Sequence, residues 1–158
     1  MARTPHPAAA HVADVLISRG HHGVLVTHDA PVPTARAVAA AHGVDVGAVV
    51  KSLVHLLDDD PVLLLVSGAH NVDLAATGPR IGGTLTHAPA DVIRHATGQS
   101  VGSVSPVGHP TNLPTFVDEA LGTFDRLWAS AGHPDVTFRT SYSELLRITA
   151  GLAVDVGP

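Results

Sequence analysis

The stretch V-V-K-S-L-V-H-L-L (49–57), followed by D-D-D-P (58–61) and V-L-L-L-V-S (62–67), decides the fold. Two runs rich in Val and Leu, separated by a short Asp-Pro segment, read as two strands joined in a hairpin. In the first run, alternation places Val49, Lys51, Leu53, His55 and Leu57 on one face and Val50, Ser52, Val54 and Leu56 on the other. Both faces are largely apolar, so the hairpin is expected at the centre of the molecule. Lys51 is the only lysine; the other eight of the nine Lys+Arg residues are Arg3, Arg19, Arg36, Arg80, Arg94, Arg126, Arg139 and Arg147. On a strand with apolar neighbours its stem is desolvated, and an ammonium there needs an anionic or carbonyl partner.

Outward from the hairpin, residues 8–19 carry helical spacing at Val12, Val15 and Leu16, with Gly20 as the stop. Residues 24–27 read as a strand, Pro31 and Pro33 break the chain, and Thr34 caps an Ala-rich helix that runs to His42 and ends at Gly43. A short helix is expected at 73–76 and a better one at 89–97, with Pro89 near its first turn and Gly98 at its end. Strands are expected at 115–117, 127–131, 136–139 and 153–156, and Ser141 and Glu144 stand in capping-box spacing before a last helix. Strands interleaved irregularly with helices, without a repeat or linker, give one α+β domain over 1–158. Its sheet is mixed and largely antiparallel, or a barrel, flanked by helices.

Composition narrows the function. One Trp, one Tyr and three Phe leave little for base stacking, and a net charge of −5 argues against an autonomous nucleic-acid binder and against a DNA-binding role. The absence of cysteine removes disulfides, a thiolate nucleophile and Cys-ligated zinc. The start lacks the apolar core of a secretory signal and no run approaches a bilayer span, so a cytoplasmic protein with no membrane partner is expected.

Lys51-Ser52 lacks the glycines of a phosphate-binding loop, since Val50 precedes the lysine. The segment G-Q-S-V-G-S-V-S-P-V-G (98–108) has no helical pattern after it, so it is not a dinucleotide fingerprint. It can instead present backbone N–H groups to an oxyanion, a role that needs backbone freedom rather than a particular side chain. Ser103 and Ser105 lack a nucleophile elbow, and the twelve histidines contain no H-E-x-x-H, so neither a serine hydrolase nor a metal site is expected. No cofactor is implied. His109 and His133 adjoin Gly-containing segments that can reach the Lys51 pocket, where an imidazole orients substrate or water.

The segments V-V-K-S-L-V (49–54), V-S-G-A-H-N-V-D (66–73), G-S-V-S-P-V-G-H (102–109) and F-V-D-E-A-L (116–121) together resemble the YbaK/prolyl-tRNA-synthetase-associated family. The similarity continues through W-A-S-A-G (128–132) and L-L-R-I-T-A-G-L-A-V-D-V (145–156), so it covers nearly the whole chain. The resemblance implies an aminoacyl-tRNA deacylase that clears the acceptor end of mischarged tRNA, with Cys or Ala on tRNA for proline as the favoured substrates. It matches the family lysine to Lys51 and the G-x-x-x-P loop to Gly102–Pro106, giving Lys51 and Gly102 the central roles. Ser52, Ser103, Val104, Ser105, Pro106, Gly108, His109, Gly132 and His133 are the expected substrate contacts. Residues 74–78 are apolar where relatives carry lysines, which points to recruitment beside prolyl-tRNA synthetase to hold the tRNA body. The competing expectation is a non-catalytic module that binds an amino acid or the tRNA end and regulates a partner.

Overall fold

The computed structural model describes residues 6–158. Five helices, α1 (Pro7–Ser18), α2 (Ala35–His42), α3 (Leu74–Arg80), α4 (Ala90–Thr97) and α5 (Tyr142–Thr149), flank a single eight-stranded sheet. The strands are β1 (Leu25–Thr27), β2 (Val49–Leu57), β3 (Asp60–Ser67), β4 (Leu85–His87), β5 (Thr115–Asp118), β6 (Leu127–His133), β7 (Val136–Thr140) and β8 (Leu152–Val154). Their order is β1-β7-β6-β2-β3-β5-β8, with β4 added beside β2. The pairs β2/β6, β3/β5 and β5/β8 are parallel and the other four antiparallel, so the sheet is mixed and mostly antiparallel. It curls into a half-barrel of the α+β class.

The hairpin is central, as its two apolar faces require. Leu63, Leu65, Val50 and Val54 point into the main core with Phe138, Leu16, Leu127 and Leu145, whereas Leu64, Val66 and Val62 form a second core with Leu85, Val154 and Val156 on the other face. The turn is tighter than the sequence suggests: Leu57 pairs with Asp60, so Asp60 and Pro61 belong to β3. The two-residue turn is Asp58-Asp59, with φ of 48° and 70°, the left-handed geometry that matches strand twist and that Asp tolerates better than most residues.

The helix ends follow their local signals. Thr34 Oγ1 accepts from Ala37 N at 3.1 Å, Ser141 Oγ accepts from Glu144 N at 3.2 Å, and Gly43 and Gly98 terminate α2 and α4 in the left-handed conformation. Three expectations change. The helix expected at 73–76 extends to Arg80, capped by Asp73 Oδ1 on Ala76 N at 2.9 Å. The closing strand is Leu152–Val154 rather than 153–156. β4 was not anticipated, because three residues carry too little alternation to register; its pairing with β2 defines it. β6 reaches His133 through a bulge between Ser130 and His133, where Gly132 has φ +90°.

Candidate active site

β2 pairs with β3 along its full length, but its opposite edge is shared. β6 covers Val49 and Val50, β4 covers His55 to Leu57, and the bulge in β6 turns that strand away in between. The sheet is therefore split beside residues 51–54. A cavity of about 480 Å³ occupies the split, a volume suited to a small ligand. Lys51, Ser52, Gly102, Val104, Ser130 and His133 line it, with apolar walls from Val32, Val38, Ile93, Val101 and Val136.

Lys51 Nζ donates to the backbone carbonyl of His70, in the loop after β3. Loss of hydration lowers its pKa, and the charge of Asp118 partly restores it. One carbonyl satisfies one of three ammonium protons, so donors remain for a ligand. Asp118, only 1% exposed, fixes the loop that supplies that carbonyl. Its Oδ2 accepts from His70 Nδ1 at 2.9 Å and Ser67 N at 3.1 Å, and its Oδ1 accepts from Ala120 N at 3.0 Å.

In the loop that lines the cavity through Gly102 and Val104, engaged and unengaged amides alternate. Ser103 N donates to Ser100 O at 3.0 Å and Ser105 N to Gln99 Oε1 at 2.9 Å, whereas the N–H groups of Gly102 and Val104 have no such partner among the described residues. Gly102 sits at φ +86° with no atom within 4 Å of where a Cβ would stand, so it is glycine for its backbone conformation and not for close packing.

The aminoacyl-tRNA editing domain model matches residues 29–148. A solved candidate trans-editing enzyme for prolyl-tRNA synthetase is 37% identical, with a TM-score of 0.91 over 98% of this chain and 99% of that one. A scaffold protein from computational epitope grafting is 35% identical (TM-score 0.90, 98% and 99% covered), and a hypothetical protein is 25% identical (TM-score 0.86, 92% and 98%). No curated protein matches. This chain belongs to the aminoacyl-tRNA editing domain family.

In this editing domain, five of the residues expected from sequence line one cavity: Lys51, Ser52, Gly102, Val104 and His133. The other six do not line it, for reasons of packing. Ser105 is fully buried, with its hydroxyl donating to Val107 O and accepting from Gln99 Nε2 at 2.9 Å; Ser103 is 5% exposed and its carbonyl accepts from Ser130 Oγ at 3.2 Å. Pro106 is buried beside them. His109 Nε2 meets Ser105 O at 2.9 Å, and burial lowers the pKa of its imidazole, so it braces the loop in the neutral form. Gly108 lies against His11 and Val12 of α1, and Gly132 against Gln99 Nε2, where a Cβ would come within 2.8 Å. These residues build the loop's scaffold.

His133 lines the cavity with Nδ1 accepting from Asp135 N at 3.2 Å, which leaves the neutral ring's proton on Nε2. The Ser52 hydroxyl is buried without a partner among the described residues. Sequence reasoning missed four residues. Asp118 and His70 stand inside the segments that carry the family resemblance, and the Asp118-Glu119 pair at an apolar strand end was the available signal. Ser130 and Thr137 also line the cavity; Thr137 Oγ1 is held by His28 Nε2 and His42 Nε2, each at 2.9 Å, and His42 stacks on Trp128 at 3.5 Å. No signal in the sequence pairs these distant histidines with one threonine.

Among the described residues, no carboxylate lines the cavity and no group of three or more His, Cys, Asp or Glu could hold a metal. No helix among them is long and apolar enough to cross a membrane.

Proposed function

We propose that this editing domain hydrolyses the ester of mischarged tRNA in trans, with Ala or Cys on tRNA for proline as substrate. The observation that carries this reading is one small cavity with an incompletely satisfied lysine on one side and unengaged loop amides on the other. Lys51 holds the tRNA 3′ end or the ester carbonyl by charge, and the N–H groups of Gly102 and Val104 stabilise the oxyanion as it develops. Lys51 positions the substrate and does not act as a base. Water attacks, or in a cysteinyl substrate the substrate's own thiol, since an aminoacyl ester is already activated.

The apolar walls favour small side chains. Ala, Cys and Ser differ by about one heavy atom, worth roughly 1–3 kcal/mol in such a pocket, so the cavity sorts by size and excludes by crowding. The net charge of −5 offers no broad phosphate-binding surface, so the tRNA body is held by prolyl-tRNA synthetase beside this domain. The test is deacylation of tRNAs charged with Ala, Cys, Ser, Thr and Pro, with and without the synthetase. Turnover of Ala- or Cys-tRNA for proline is expected, while saturable binding without turnover of any ester would favour a non-catalytic module.

A further inference from the structure

The split in the sheet leaves a backbone edge inside the cavity. Successive strand residues point their N–H and C=O groups to opposite edges. Leu57 faces Asp60 across the two-residue turn, so the odd-numbered residues of β2 point to β3, and the Val49 carbonyl accepts from Gly68 N at 2.7 Å accordingly. The even-numbered residues point the other way, as Asp58 N does in donating to Thr84 O at 3.0 Å. On that edge Val50 meets β6 and Leu56 meets β4. Ser52 lies between them, lines the cavity and has no strand opposite it.

A half-buried strand edge with an unpaired N–H and C=O invites a partner that completes it. An aminoacyl ester has the complementary groups: one carbonyl oxygen to accept and one α-ammonium to donate, spaced as in a single residue. We propose that the aminoacyl group docks on Ser52 as a one-residue antiparallel strand. The Ser52 N–H donates to the ester carbonyl oxygen, and the Ser52 carbonyl accepts from the α-ammonium. This inference rests on the deacylase reading and adds to it a recognition of the aminoacyl backbone that is independent of the side chain. The size filter of the walls then acts on a substrate whose backbone is already registered. An ester lacking a free α-amine loses half of the pairing.

Ser52→Pro tests it. Of the backbone groups proline removes one, the N–H that faces the open edge, and Lys51 before it is already extended, as proline requires. Ser52→Ala removes the buried hydroxyl and keeps the N–H. The expected kcat/KM of Ser52→Pro on Ala-tRNA is about a hundredfold below that of Ser52→Ala, the scale for losing one donor to a developing oxyanion. N-acetylalanyl-tRNA is expected to be cleaved at least about tenfold more slowly than Ala-tRNA by the wild type, the scale for losing one hydrogen bond to a charged group. Equal activity of the two variants would overturn the inference.

If Ser52→Pro does not fold, the backbone amide resonance of Ser52 in the wild type is followed while 3′-deoxy-3′-(alanylamino)adenosine is added. A downfield shift at Ser52 supports the docking, and an unmoved Ser52 amide in a saturated complex overturns it. A wild type that cleaves none of the charged tRNAs refutes the deacylase reading instead, and the same titration still decides whether the edge binds an aminoacyl group.

Discussion

Replacing Asp118 with Asn changes one atom of a buried carboxylate, and the hydrogen bonds fix the consequence. The carboxylate accepts from three donors: Ser67 N and His70 Nδ1 on Oδ2, and Ala120 N on Oδ1. Asn has one oxygen and one NH₂, so one side must present a donor to a donor. If the NH₂ takes the Oδ1 side, Ala120 N loses its acceptor; if it takes the Oδ2 side, His70 can change tautomer but Ser67 N cannot. Either way a backbone N–H, buried at Ser67 or part-buried at Ala120, is left unpaired, at about 1–3 kcal/mol, and charge-assisted bonds become neutral ones, for a total near 3 kcal/mol. In a chain of this length that lowers Tm by roughly 6–12 °C. The same knot holds the His70 carbonyl under Lys51, so ester turnover falls with it. Thermal melts and deacylation by the purified Asp118→Asn protein make the check, and a Tm within about 2 °C of wild type would refute this account of the loop.

Lys51→Met separates function from stability. Burial lowers the Lys51 pKa in the fold, so carrying the ammonium costs folding stability relative to the unfolded chain; the variant is expected to melt at the wild-type temperature or above while losing deacylation, and a lower Tm would contradict this. Burial likewise lowers the pKa of His21, His55, His42 and His109 from 6.5. The unfolded chain then binds more protons below about pH 6.5, so stability is full above that pH and lost as pH falls through the folded-state values; melts at pH 7.5 and 5.5 should differ, and equal Tm values would refute it. Gly102→Ala and Gly132→Ala both place a side chain at positive φ, near +86° and +90°, but only at 132 does the Cβ meet a neighbour, Gln99 Nε2 at 2.8 Å. Gly102→Ala should cost about 1 kcal/mol of strain and Gly132→Ala about 2–4 kcal/mol of strain plus crowding, compared by urea denaturation.

The elements legible in the sequence were those whose signals are local. Thr34 and Ser141 announce their helices through caps, Gly43 and Gly98 end theirs, and the nine residues of β2 alternate long enough to show two buried faces. Three residues of β4 could not, and the Asp58-Asp59 turn was blurred by two further turn-forming residues that the register assigns to β3. Family resemblance marked single positions such as Lys51 and Gly102, and both line the cavity beside β2. Ser103 and Ser105 lie inside the loop that the resemblance marks but do not line the cavity: an open loop without regular structure must satisfy its own backbone, and their N–H groups are used for that. The Thr137, His28 and His42 cluster joins residues about a hundred positions apart, which a single sequence does not connect.

Why the cavity contains a lysine and no carboxylate follows from the same arrangement. An acid beside Lys51 would satisfy its ammonium and repel the phosphates of the tRNA end, while an ammonium with no nearby negative charge would lose its proton more readily. Asp118 resolves the conflict by position. Its oxygens are occupied by Ser67, Ala120 and His70, so it does not contact Lys51, yet its charge favours the protonated lysine through space. The contact Lys51 does make is to a neutral carbonyl, which orients the amine without quenching its charge. The Lys51 amine is thus aimed and incompletely satisfied, and in the function proposed above that leaves it free to hold the ester carbonyl or the tRNA 3′ end.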